Sequence, residues 1–153
     1  MGVVHLKRFE MGTQSSPRSV LERLQTAMNQ HDLEAFLDFF DPDYQSKQPV
    51  HPDRAFSGRE QVRKNWSALF KSTPDFRSEV LNAIDEGDTG WAEWHWSGTR
   101  TDGTRLEMRG MTIFGIRNDR ITWQRLYMEP VEEAGAGIDA VVRGLTHNPP
   151  QEG

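Results

Sequence analysis

The sequence predicts an α+β domain in which helices from the first half of the chain pack on a strongly curved antiparallel sheet from the second half. Apolar residues recur at helical spacing between positions 20 and 70, and apolar and polar residues alternate from 105 to 129. The two patterns follow one another instead of interleaving, which separates α+β from the βαβ alternation of parallel sheets. At 153 residues the chain fits one domain, and a domain of that size buries roughly 68–70% of its unfolded surface.

Residues 1 to about 15 are polar and unpatterned and read as a mobile arm, with a single domain expected over 16–130. Ser16-Pro17 is a helix start, with a hydroxyl to cap and a proline at the first helical position. The helix runs to about Gln30 and buries Val20, Leu21, Leu24, Ala27 and Met28; His31, at its end, suits a left-handed terminal role. Asp32 caps a second helix, LEAFLDFF, expected to end at Asp41-Pro42 because the residue before proline avoids helical geometry.

Tyr44 to Gln48 reads as a short strand, and PVHPDRAFSG as a proline-rich loop. Ser57-Gly58-Arg59-Glu60 fits a capping box before a third helix that carries Val62, Trp66, Leu69 and Phe70 on one face and stops near Pro74. Strands are predicted at about 76–85, 91–99, 105–117 and 120–129, with turns at Glu86-Gly87-Asp88, Thr101-Asp102-Gly103-Thr104 and Asn118-Asp119. Residues 131–153 form a tail with a short helix at Ile138, Val141, Val142 and Leu145, expected to dock on the body or on a partner.

A formal net charge of -5 lacks the basic stripe of a nucleic-acid binder, so no nucleic-acid partner is expected. The absence of cysteine removes thiolate chemistry and disulfides and is compatible with a reducing cytosol. No apolar run is long enough for a signal peptide or a membrane span, so the expectation is a cytoplasmic protein without a membrane partner. Neither the opening Met1-Gly2, with Leu6 in place of Ser or Thr, nor the internal Met11-Gly12 makes a convincing myristoylation signal. His5 and His147 fall in the tails, and no histidine pair has helical metal spacing, so no metal is expected.

HDLEAFLDFFDPDY, then FSGREQVRKNW, then GMTIFGIRNDRITWQRLYME resembles the nuclear transport factor 2 superfamily, especially its SnoaL-like, ketosteroid isomerase-related members, over residues from about 17 to 130. The resemblance implies a cone-shaped barrel, a pocket open at one end, and a homodimer through the sheet. It does not choose an activity, because isomerases, cyclases, dehydratases, epoxide hydrolases and adaptors share the fold. At the places where ketosteroid isomerases carry tyrosine and aspartate, this chain has Leu24, Thr112 and Gln48. Where limonene-type epoxide hydrolases carry Asp-Arg-Asp, it has Trp96, Trp94 and Leu126. Neither chemistry transfers.

The inward face then comprises Trp94, Trp96, Met108, Gly110, Thr112, Phe114, Gln124, Leu126 and Met128, an apolar wall with a few polar anchors. Such a wall suits a small, largely hydrophobic molecule, and Leu24, Tyr44, Gln48 and Trp66 are expected to complete the pocket. The same stripe equally describes side chains that only fill the core. His51 is the candidate general base, with Asp53 and Arg54 as orienting groups and Glu129 in a structural role at the end of the last strand. The outward face mixes Trp91, Glu93, His95, Arg105, Glu107, Arg109, Trp123, Arg125 and Tyr127, the composition of an interface or of a charged cross-strand ladder. Two functions remain open. One is a pocket protein that binds a small hydrophobic molecule or performs a cofactor-independent isomerisation, cyclisation or hydration; the other is a non-catalytic dimeric binding or adaptor module.

Overall fold

A computed structural model describes residues 15–147. The arm expected over 1–15 lies outside them except for Ser15, whose amide donates to Asp119 Oδ1 at 2.7 Å. Helix α1 spans Pro17–Gln30; Ser16 Oγ accepts from the Ser19 amide, and His31 closes the helix in the left-handed region at φ 53°. The imidazole is then fixed by a 2.8 Å hydrogen bond from Nε2 to the Phe76 carbonyl and by stacking on Phe70.

Helix α2 is shorter than expected, Leu33–Asp38, and β1 begins at Phe40 and runs to Lys47. Asp41-Pro42 therefore does not terminate a helix but lies inside a strand. The proline is tolerated because pairing with the last strand skips from Phe40 opposite Ile121 to Gln45 opposite Trp123, leaving Pro42 in the unpaired gap. After a 3₁₀ turn, Pro52–Arg54, the two-residue strand β2, Phe56–Ser57, pairs with β1.

Helix α3 spans Arg59–Ser72, and the capping box does not form: Gly58 occupies the N-cap at φ 95° with no side-chain cap. Ser57 Oγ donates instead to Gln45 Oε1 across β1 and β2, at 2.7 Å, and Glu60 pairs with Arg63. Arg59 holds the helix start to β1 by donating twice to the Phe40 carbonyl, at 2.9 and 2.7 Å.

Strands β3 (Arg77–Glu86), β4 (Thr89–Thr99), β5 (Arg105–Arg117) and β6 (Arg120–Pro130) are successive antiparallel neighbours. The sheet has the order β2-β1-β6-β5-β4-β3. It is mixed, not wholly antiparallel, because β1 lies parallel to β6. A parallel pair needs a long crossover, and here α3 and four strands intervene between β1 and β6. The β5–β6 turn carries positive φ at both Asn118 and Asp119, 52° and 61°, the type I′ geometry that matches sheet twist.

A register shift after Gly115 changes the inward set on β6: Ile121 is buried opposite Ile116, and Thr122 is left partly exposed. The inner face packs on α1, whose Val20, Leu21, Leu24, Ala27 and Met28 are buried with Phe36, Leu37, Trp94 and Phe114. Helix α4, Ile138–Thr146, forms as expected, but Ile138, Val141, Val142 and Leu145 are all exposed, so it does not dock on the described body.

Candidate functional site

Between the inner sheet face and the helices is a cavity of about 200 Å³. Leu24 and Met28 of α1 and Phe36 of α2 form its floor, and Val62, Asn65, Trp66 and Leu69 line it along one face of α3. Trp94 and Trp96 of β4 with Gln124 and Leu126 of β6 form the sheet wall, and alternate residues Tyr44 and Ser46, continuing into Gln48, close it from β1. The rings interlock: Trp66 meets Phe36 at 4.7 Å between centroids and Trp96 at 5.4 Å, nearly perpendicular, and Trp96 meets Trp94 at 6.1 Å. Edge-to-face contacts of this kind stiffen an aromatic wall beyond its buried area.

The polar groups are few and mostly amides. Tyr44 donates to Gln124 Oε1 at 2.9 Å, Arg54 donates to Gln48 Oε1 at 3.2 Å, and Gln61 donates to Asn65 Oδ1 at 2.8 Å. Burial pushes the Tyr44 phenol well above its ordinary range, with the Ser46 hydroxyl offsetting only part of this, so the ring is neutral near pH 7. Trp96 Nε1 is buried without a partner, beside the rings of Trp66, Phe76 and Trp94. Among the described residues the lining contains no carboxylate and no histidine. Nor does any cluster of three or more His, Asp or Glu side chains come together as a metal-holding group among them.

Most of the sequence that builds this sheet and helices α1 to α3 is matched by a family model. The model of the SnoaL-like domain matches residues 21–124, more than half of the chain. The chain belongs to the SnoaL-like domain family. Solved structures share the fold at low identity. IdmH from Streptomyces antibioticus, a candidate polyketide cyclase, is 21% identical with a TM-score of 0.65, covering 75% of this chain and 93% of its own. AclR from Streptomyces galilaeus, a candidate hydroxylase, is 17% identical with a TM-score of 0.64, covering 73% and 87%. A protein of ketosteroid isomerase-like fold from Catenulispora acidiphila, solved with trimethylamine, is 17% identical with a TM-score of 0.61, covering 72% and 85%. No curated protein matches the chain. At these identities the neighbours show the fold alone.

Within this SnoaL-like fold, Leu24, Tyr44, Gln48, Trp66, Trp94, Trp96, Gln124 and Leu126 come together around the cavity. Thr112 and Met128 do not line it. Thr112 is 1% exposed, and its hydroxyl accepts the Trp94 indole N–H at 3.0 Å, while Met128 is buried in the core. His51 is also outside the lining: Nε2 donates to Glu129 Oε1 at 2.6 Å in a half-exposed pair, and its amide donates to the Gln48 carbonyl at 2.8 Å. Arg54 orients Gln48, not His51.

Sequence reasoning passed over Met28, Phe36, Ser46, Val62, Asn65 and Leu69, although helical and strand periodicity placed most of them correctly. The i, i+3, i+4, i+7 stripe of α3 and the i, i+2, i+4 row from Tyr44 to Gln48 were the available signals. Phe40 carried no such signal, because it reads as part of a helix.

On the outer face, Glu107 accepts from Arg105 at 3.4 Å and from His95 at 3.2 Å, and these two neighbours, Arg105 first, hold its carboxyl below the usual range. Arg125 lies over the Trp123 ring at 5.1 Å, and Met111, Tyr127 and Ile84 remain exposed. No helix among the described residues is long and apolar enough to cross a membrane.

Proposed function

We propose that this SnoaL-like protein binds a small, largely apolar cyclic molecule in the cavity between its sheet and helices. The observation that carries the reading is the lining itself, three tryptophans and several aliphatic side chains relieved only by amides, a serine and a neutral tyrosine. Sites for small organic ligands have this composition, mostly apolar with a few placed polar groups. General acid–base chemistry wants a group that titrates near the working pH. Tyr44, pushed upward by burial, moves away from that condition.

One observation favours a catalytic reading. His51 and Glu129 form an imidazole–carboxylate pair joined through a tight turn to Gln48, which does line the cavity. A histidine oriented by a carboxylate is a usable general base for a ligand that protrudes from the cavity.

Native mass spectrometry with a panel of one- and two-ring apolar compounds separates these readings, with product formation followed by chromatography. Binding predicts one-to-one complexes that are lost in Leu126→Trp, which fills the cavity, while circular dichroism stays unchanged. Complexes that survive Leu126→Trp would contradict it. Conversion of a panel member that disappears in His51→Ala would establish the catalytic reading.

A further inference from the structure

We infer that Gln124 is the group that selects the ligand, presenting its Nε2 amide hydrogens to a carbonyl oxygen on an uncharged one- or two-ring molecule, with Tyr44 as the residue that positions it. The inference rests on the reading of the cavity as a ligand site and names what that site recognises.

The argument begins with Tyr44, which is 2% exposed. Its ring is held edge-on between Phe40, at 4.9 Å and 75°, and Phe56, at 6.0 Å and 64°. The phenol donates to Gln124 Oε1, with 2.9 Å between the two oxygens. An amide whose oxygen is taken offers only its two N–H groups to anything else. Among the described residues Gln124 Nε2 has no protein partner, and Gln124 lines the cavity.

Gln48 repeats the arrangement at the other end of the β1 wall. Its Oε1 is taken by Arg54, a side chain that can only donate, so its Nε2 is likewise left for an acceptor. Ser46 adjusts to either role, but both glutamines are set as donors. No lysine or arginine lines the cavity, so nothing there compensates a carboxylate or phosphate. An uncharged acceptor is the ligand group that fits.

Size narrows the class. An engineered apolar cavity of about 150 Å³ takes benzene, and the cavity here is about 200 Å³. It holds one substituted ring, or two fused rings with one edge at the mouth. Trp66 and Trp96, at 77° to one another, supply faces for such a ring.

The test compares 1-tetralone with tetralin, the same skeleton without the oxygen, by isothermal titration calorimetry on the full chain. The expected result is about tenfold tighter binding of the ketone, the worth of one neutral hydrogen bond. Gln124→Leu brings the ketone down to the hydrocarbon while tetralin binds as before, and Tyr44→Phe lowers the ketone preference without weakening tetralin. Folding of both variants is checked by circular dichroism, and the wild-type comparison stands without them. Equal affinities in the wild-type protein, or a ketone preference that survives in folded Gln124→Leu, would overturn the inference and leave the cavity as an apolar site. Binding of neither compound would overturn both the inference and the reading of the cavity beneath it.

Discussion

Thr112 sits on the inward side of β5, where alternation places it, yet its hydroxyl is committed to the Trp94 indole at 3.0 Å and does not reach the cavity. The bond is a diagonal across β4 and β5: Trp94 stands opposite Gly110, and Thr112 opposite Ala92. Gly110 cannot be replaced freely, because a Cβ there would lie 1.8 Å from the Tyr127 carbonyl oxygen, and backbone cannot turn aside as a side chain can. The periodicity thus gives the direction of a side chain but not its partner. His51 shows the same limit: sequence singles out a histidine in a proline-rich loop, but its carboxylate partner is 78 residues away at the end of β6. Thr112→Val leaves the buried Trp94 N–H without an acceptor and is expected to destabilise the fold by about 1–3 kcal/mol in urea unfolding. An unchanged midpoint would mean that the indole finds another acceptor.

The elements that sequence resolves well are those with local causes. The β5–β6 hairpin follows from unbroken alternation and from two residues that tolerate positive φ, and α1 follows from Ser16-Pro17 and a helical stripe. The elements that it misjudges have distant causes. Phe39 and Phe40 continue the apolar pattern of α2, but the Phe39 carbonyl accepts from Ile121 at 2.7 Å and draws the chain into β1 beside β6. Ser57 satisfies the capping pattern, but β1–β2 pairing places its hydroxyl against Gln45 instead. Ser16 and Ser57 therefore separate a formed cap from an apparent one. Ser16→Ala is expected to cost about 1 kcal/mol, and Ser57→Ala less, in thermal or chemical unfolding. Equal losses would show that the two serines are not distinguished in this way.

At the scale of the molecule, one sheet carries two different surfaces. Its inner face encloses an aromatic cavity under three helices, and its outer face carries the ion pairs of Glu107 and the exposed Ile84, Met111 and Tyr127. The sequence shows this division because period-two alternation assigns every residue of β4 to β6 a side, save where the register shifts after Gly115. The parallel β1–β6 pair is not visible in it, since no local pattern distinguishes the strand's direction.

The five tryptophans sample both surfaces, with Trp66, Trp94 and Trp96 in the cavity lining and Trp91 and Trp123 on the outer face. The indole N–H resonances of ¹⁵N-labelled protein, followed as 1-tetralone is added, test the central claim most directly. Ligand binding in the cavity predicts saturable shifts of the Trp66, Trp94 and Trp96 signals with those of Trp91 and Trp123 unmoved. Shifts confined to Trp91 and Trp123, or no shift at all at millimolar ligand, would contradict it.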